Sequence, residues 1–349
     1  MSGGAEPRTC GLIHLPQQAS LVSDADEEVF LLYTHLAARR PLDEATGFRG
    51  LGHVDSQKDT LTVEFTIAKP PQRAIQEPTI RQSRSTGRST KKKSKVPTES
   101  REHVIAIELL QDKTALRTRK GDTGSVLWRA SVDFAQYVLR SYHTRAPDTL
   151  LDAGSLSAAH VLELGAGTGL LGIALSPIVA RYTLTDIDAL IPLIRKNLAH
   201  NCNLPNLTRS TTARRSAHGT SGPAPKDEKH ANVVVEALDW EQLRGASPAL
   251  RKSSFQYPPI DVLLVVDCIY HPSLLPALLS TIDHLTTPGV TAVLVVVELR
   301  AEDVVREFLA GWLSIESNGM WQVWSVPEVL DGPYAVWVGW KAPRDDSKR

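Results

Sequence analysis

The chain has 349 residues with 39 Lys+Arg against 39 Asp+Glu, a formal net charge of zero, and a length that admits one large α/β domain or two ordinary ones. Hydrophobic residues at 42% and a mean hydropathy of −0.16 allow a real core, and the balanced charge excludes the chain-wide basic footprint of a nucleic-acid binder. Cys10, Cys202 and Cys268 are too few and too dispersed for a zinc site or a disulfide scaffold, apolar runs such as Val290 to Val297 are too short to span a bilayer, and the N-terminus lacks a signal-peptide pattern.

Asp24, Asp26, Glu27 and Glu28 precede Val29 to Leu36, and Arg39-Arg40 follows. Acid at the start and base at the end suit a helix dipole. Leu61, Val63, Phe65 and Ile67 alternate with polar residues, which predicts a half-buried strand. Residues 1–80 read as an accessory region. Residues 81–101 carry eight basic residues and one acid, with Val96 as the lone aliphatic. Such a segment cannot bury enough apolar area to offset chain entropy, so disorder is expected. Lys91-Lys92-Lys93-Ser94-Lys95 is either a nuclear-localisation patch or a solvated loop.

Val104 to Leu109 reads as a strand and Gln111 to Thr114 as a turn. Gly121 to Trp128 leads into a helical pattern over Arg129 to Arg140. From His160 the order is strand, glycine-rich turn, helix, strand, acid, helix. Residues 205–230 read as a second disordered insertion. Val233 to Val235, Asp261 to Val266 and Thr291 to Val297 are strands, the last two apolar enough to be buried on both faces. Helices follow Pro272 and span Ala301 to Leu313. Met320 to Val326 and Tyr334 to Trp340 read as a closing β-pair. The alternation predicts an α/β fold, a doubly wound and mostly parallel sheet.

The turn reads Glu163-Leu164-Gly165-Ala166-Gly167-Thr168-Gly169. Between a strand and a helix it suits a nucleotide. Gly165 can adopt backbone angles closed to side chains, and Gly167 lets a ligand approach the main chain. Asp186 lies 21 residues after Gly165, at the tip of the next strand, where a carboxylate holds ribose hydroxyls. The third glycine comes one residue early for the usual dinucleotide fingerprint. Glu163 would repel pyrophosphate but suits a ligand with a cationic amino-acid end. S-adenosylmethionine, which has a sulfonium and an ammonium and no phosphate, is preferred over a nicotinamide dinucleotide. A turn without a ligand is the structural alternative.

With Gly124-Ser125-Val126-Leu127-Trp128, Leu162 to Leu170, Asp186, Leu238-Asp239-Trp240 and Asp267-Cys268-Ile269-Tyr270 on the page, the sequence resembles the seven-β-strand protein-lysine methyltransferases of methyltransferase family 16. The resemblance covers about residues 103–342. By length and N-terminal region it is most similar to the fungal ribosomal lysine N-methyltransferase 5 group. It implies a Rossmann-like, seven-stranded methyltransferase domain over 102–342 with an N-terminal accessory α/β extension, and a tail at 343–349. The cofactor is then S-adenosyl-L-methionine, contacted by Trp128, Glu163, Gly165, Ala166, Gly167, Asp186, Trp240 and Val266. Ala is commoner in the family at position 266, so Val266 would contribute through its backbone. Asp267 and Tyr270 would be catalytic, shaping the channel for the lysine.

Read as residues alone, Trp128 and Trp240 are either cofactor contacts or core filling, and Asp267 is either a site residue or a helix cap. Open α/β sheets do carry their ligands at carboxyl strand ends. His271 is a candidate base, with capping the stronger reading, and Cys268 reads as a small core residue. No metal cluster is visible. The resemblance implies methylation of a lysine on a large-subunit ribosomal protein; mono-methylation, a cytoplasmic location with the nucleus as a second one, and a monomer are the accompanying expectations. Alternatives are another protein substrate such as a chaperone or elongation factor, an RNA or small molecule, and a non-catalytic binding module. Cys268 and Ile269 stand where nucleic-acid amino-methylating enzymes often carry two prolines, which disfavours RNA. The zero net charge is a sum of unlike parts. Residues 81–101 hold +7 and residues 209–230 hold +3, which leaves −10 on the remainder. An acidic body suits a basic protein partner, and the basic insertions could add contacts to a ribosomal or nucleic-acid surface.

Overall fold

The computed structural model describes residues 8–38, 52–68, 102–114, 123–146, 149–203, 232–316 and 319–342. The segments 81–101 and 205–230, the Lys91–Lys95 run, Arg39-Arg40 and the tail 343–349 lie outside the described residues.

The N-terminal part opens with short strands β1 (Thr9–Cys10), β2 (Ile13–His14) and β3 (Ser20–Leu21), followed by helix α1 (Ala25–Ala38). Asp26, Glu27 and Glu28 occupy the first turn of α1, where the helix dipole favours acid. Glu28 is also an anchor, accepting from Ser325 Oγ at 2.6 Å and Trp337 Nε1 at 3.0 Å. Strand β4 (Thr60–Ala68) buries Leu61, Val63, Phe65 and Ile67 on one face, as their alternation predicts. It pairs antiparallel with β5 (Glu102–Leu110) in a separate two-stranded sheet.

Helix α2 (Arg129–Thr144) buries Phe134, Ala135, Val138 and Leu139 at helical spacing. Then come β6 (His160–Leu164), α3 (Leu170–Leu175), β7 (Arg181–Asp186), α4 (Ile191–Asn203), β8 (Val233–Ala237), α5 (Trp240–Gly245), α6 (Pro248–Ser254), β9 (Val262–Val266), α7 (Leu275–Leu285), β10 (Ala292–Glu298), α8 (Glu302–Leu313), β11 (Met320–Ser325) and β12 (Tyr334–Ala342). The main sheet runs β3-β11-β12-β10-β9-β6-β7-β8. Strands β6 to β10 pair in parallel, and β12 and β11 close the sheet antiparallel. These are the seven expected strands. An eighth, the two-residue β3, pairs with β11 at the edge.

The apolar strands serve both faces, which is why they show no alternation. Val262, Leu264 and Val266 of β9 face one core with Phe134, Leu170 and Ile194. Leu263 and Val265 face the other with Leu275, Phe308 and Trp312. The chain runs outward from β6 through β7 to β8, then returns to lay β9 on the opposite side of β6. The strand order therefore reverses between β6 and β9, where open α/β sheets leave a crevice at their carboxyl ends.

Candidate active site

That crevice is a cleft of about 590 Å³, in the usual range for a small-molecule site. Its floor is the turn after β6. Gly165 and Gly167 have φ of +67° and +56°, open to glycine without steric cost. A Cβ on Gly165 would stand 2.7 Å from Cys268 Sγ, and one on Gly167 would stand 3.0 Å from the Gly124 carbonyl oxygen. The turn is thus glycine-rich for fit as well as for conformation. Ala166 is held by its amide donating to the Thr185 carbonyl at 3.0 Å.

Asp186 ends β7 and lines the cleft. Its Oδ2 accepts from the Gly167 amide at 2.8 Å and its Oδ1 from the Ile187 amide at 2.7 Å. Glu163, in β6, is buried. Its Oε2 accepts from the Tyr182 hydroxyl at 2.9 Å. Burial pushes the Glu163 carboxyl up to about 8; the Tyr182 hydrogen bond opposes the rise, and the Asp186 charge adds to it.

Trp240 begins α5, behind Asp239, whose side chain caps the helix by accepting from the amides of Glu241 and Gln242. The Trp240 ring stands beside Gly165. Its buried Nε1 finds no acceptor among the described residues. Trp128 sits just before α2 and donates from Nε1 to the Thr123 carbonyl at 2.8 Å. Val266, Asp267 and Tyr270 complete the wall at the end of β9. All the residues expected at the site, Trp128, Glu163, Gly165, Ala166, Gly167, Asp186, Trp240, Val266, Asp267 and Tyr270, therefore line one cleft.

The smaller readings also find their places. His271 caps the turn after it, accepting from the Ser273 amide at 3.3 Å. Cys268 is buried and donates from Sγ to the Leu164 carbonyl at 3.2 Å. Burial pushes its thiol well above the ordinary value, so it stays neutral.

Asp267 has a partner that the sequence reading did not single out. Its φ is +59°, an unfavourable conformation for a non-glycine residue, at a cost of about 1 kcal/mol or more. Arg300, just beyond β10, grips its carboxylate with two prongs, Nη1 to Oδ1 at 2.8 Å and Nη2 to Oδ2 at 2.6 Å. The same guanidinium lies 5.0 Å from the centre of the Trp128 ring. His53, from the N-terminal region, packs on that ring too, with centroids 4.6 Å apart.

The donor set decides what the cleft can hold. Glu163, Asp186, Asp239, Glu241 and Asp267 line it, and no Lys or Arg does among the described residues. A pyrophosphate would meet acidic side chains of which Asp267 is offset by Arg300 behind it, with no cation in the lining to receive it. A phosphate-free nucleoside bearing an ammonium and a sulfonium fits, so the residues suit S-adenosylmethionine. Among the described residues no group of side chains could hold a metal ion, and no helix is long and apolar enough to cross a membrane.

A doubly wound sheet of this order, with an acid-lined nucleoside cleft at its switch point, defines the class I methyltransferase fold. Residues 111–215 and 224–311, more than half of the chain, match a family described as lysine methyltransferase, and the chain belongs to that family. It is similar to a ribosomal lysine N-methyltransferase 5 of Eremothecium gossypii, 30% identical over 43% of this chain and 47% of that one. It is also similar to a ribosomal lysine N-methyltransferase 5 of Candida glabrata, 26% identical over 82% of this chain and 88% of that one. A Schizosaccharomyces pombe protein named diaminohydroxyphosphoribosylamino-pyrimidine deaminase is 29% identical over 58% of this chain, which spans 41% of its length. The chain thus spans less than half the length of the first curated relatives it matches.

Proposed function

We propose that this protein is an S-adenosylmethionine-dependent protein-lysine N-methyltransferase that mono-methylates a lysine of a large-subunit ribosomal protein. The observation that carries the reading is the single cleft in which the Glu163/Gly165/Gly167/Asp186 floor meets Asp267 and Tyr270, in a chain of the lysine methyltransferase family. The ribosomal substrate is suggested by the names of two relatives.

S-adenosylmethionine, when bound, supplies a methyl group on a sulfonium, already a good leaving group. The protein's task is then to hold two partners in line. Glu163 would receive the ammonium of the amino-acid end. Asp186 would take the ribose hydroxyls, Trp240 would stack on the flat base, and Gly165, Ala166, Gly167 and Val266 would offer backbone. Trp128 would cover the methionine end. Asp267 and Tyr270 shape the lysine channel, with the Tyr270 ring along the aliphatic stem.

The acceptor nitrogen must be neutral to attack. Free lysine has a pKa of about 10.4 and is almost wholly protonated at pH 7. A channel with restricted water lowers that value, and the approaching sulfonium adds like-charge repulsion. The proton can leave through water, so no dedicated base is needed. The net −10 of the chain outside its two basic segments favours approach of a basic protein. We place the activity in the cytoplasm, in a monomer.

The test is incubation with labelled S-adenosylmethionine and an extract from cells lacking this protein, with and without ribonuclease. A labelled lysine on a ribosomal protein, identified by mass spectrometry, supports the reading. Label on RNA, or none with cofactor bound, overturns it.

A further inference from the structure

Resting on the reading above, we infer that Arg300 is a positioning residue for methyl transfer: it fixes the Asp267 carboxylate and offsets the negative charge of Asp267 and Glu298, so that the acceptor lysine comes up against a fixed wall with one negative charge fewer to keep it protonated.

The geometry makes Asp267 immobile. Its side chain is only 2% exposed. Both oxygens are taken by the Arg300 fork, and Oδ1 also accepts from the Glu298 amide at 3.3 Å. Its own amide donates to the Val296 carbonyl at 2.7 Å. A paired fork of this kind fixes direction as well as charge.

Arg300 is itself held from several sides. Nη2 reaches Glu298 Oε2 at 2.9 Å. One surface covers Trp128. The N-terminal segment closes on it at Gly52, whose φ is +93° and where a Cβ would stand 2.3 Å from Arg300 Nη2. A side chain there would be strained by its backbone angle and would displace the Arg300 or Glu298 side-chain end. The segment is tied down by the Arg129 amide on the Gly52 carbonyl at 2.9 Å and the Val54 amide on the Leu127 carbonyl at 3.0 Å. Gln111 adds a clip, donating to the carbonyls of Asp55 and Lys58 and accepting from the Leu127 amide. The N-terminal region therefore builds part of the wall behind the acceptor channel.

The chemistry explains the need. An uncompensated carboxylate within about 4–6 Å of an amine raises its pKa by about one to three units. A lysine drawn to a bare Asp267 would be held as ammonium, the form that cannot attack. The groups that bear on this end are Glu298 from β10, Arg300 from the loop that follows it, Asp267, Cys268 and Tyr270 from the loop after β9, His53 from the N-terminal segment, and Glu163 and Asp186 across the cleft. Burial and the Arg300 charge hold His53 below its ordinary value, so it stays neutral where the enzyme works.

The experiment compares wild type, Arg300→Gln and Arg300→Lys in the full chain. Cofactor affinity is read by calorimetry, and single-turnover labelling of the deficient-cell extract is followed from pH 6.5 to 10. For Arg300→Gln the expected result is wild-type cofactor affinity with the rate midpoint moved up by about one pH unit. The loss is then about ten-fold at pH 7 and shrinks towards pH 10. Arg300→Lys, with charge but no fork, keeps the wild-type midpoint at a lower rate throughout. Should Arg300→Gln fail to fold, Arg300→Lys decides alone: a moved midpoint or an unchanged rate overturns the proposal. So does an Arg300→Gln profile lowered by one factor at every pH. If the wild-type protein labels no lysine at all, the functional reading fails, and this inference fails with it.

Discussion

The Gly167 amide donates to Asp186 Oδ2 at 2.8 Å, so the glycine turn and the acid at the tip of the next strand are one hydrogen-bonded unit. A carboxylate can accept several hydrogen bonds at once, so one side chain can serve both the turn and a ribose. Asp186→Asn keeps an acceptor for only one of the Gly167 and Ile187 amides, so the fold should hold at some cost in stability. It should weaken S-adenosylmethionine by about 10–100-fold, the worth of charge-assisted bonds of about 1.5–3 kcal/mol. Calorimetry decides; unchanged affinity would remove Asp186 from the cofactor site.

Glu163 gives a pH signature. Its carboxyl stands at about 8 in the folded chain against an ordinary 4.5. A raised acid means the folded state holds a proton that the unfolded state has lost. Stability should therefore fall between about pH 4.5 and 8, by about 1.4 kcal/mol per pH unit at most. Glu163→Gln should flatten this part of the profile and be the more stable protein at pH 8, followed by chemical denaturation with no cofactor present.

The same proton should be expelled by a cationic ligand, because an ammonium beside Glu163 favours the ionised form. Binding of S-adenosylmethionine at pH 7 should release up to one proton, seen as an enthalpy that varies with buffer ionisation heat. Glu163→Gln should show no release and weaker binding. A wild-type enthalpy that is the same in every buffer would count against Glu163 as the ammonium's partner.

The sheet and the cofactor floor were legible because their causes are local. Leu263 and Leu264 face opposite cores, so the run around them is apolar throughout, and Gly165 and Gly167 mark a turn only glycine fits well. Arg300 was illegible for the opposite reason. It stands 33 residues from Asp267, between a strand and a helix, and nothing in Leu299-Arg300-Ala301 distinguishes a buried fork from a solvated loop. Its one available signal is position, a cation just beyond the carboxyl end of a buried strand. Gly52 and His53 belong to a region whose link to the site exists only through tertiary contacts with Leu127 and Trp128.

Besides its apolar face, the β4–β5 pair is attached by two asparagines one helical turn apart. Asn197 of α4 is fully buried. It donates to the carbonyls of Leu110 at 3.0 Å and Thr168 at 2.9 Å, and accepts from the Leu110 amide at 2.8 Å. Asn201 does the same for Glu108, donating to its carbonyl at 2.9 Å and accepting from its amide at 3.2 Å. Side-chain amides here replace the strand that β5 lacks on that edge. Asn197→Ala would leave buried backbone groups unpaired, each at about 1–3 kcal/mol. A loss of about 2–4 kcal/mol is expected in chemical denaturation. Because Thr168 belongs to the glycine turn and Leu110 precedes the Gln111 clip, cofactor affinity should fall with it. Asn201→Ala, one turn further from the turn, should destabilise by a similar amount while leaving the affinity nearly unchanged. Equal losses of affinity in the two variants would show that the hairpin as a whole, and not the Thr168 contact, supports the cofactor floor.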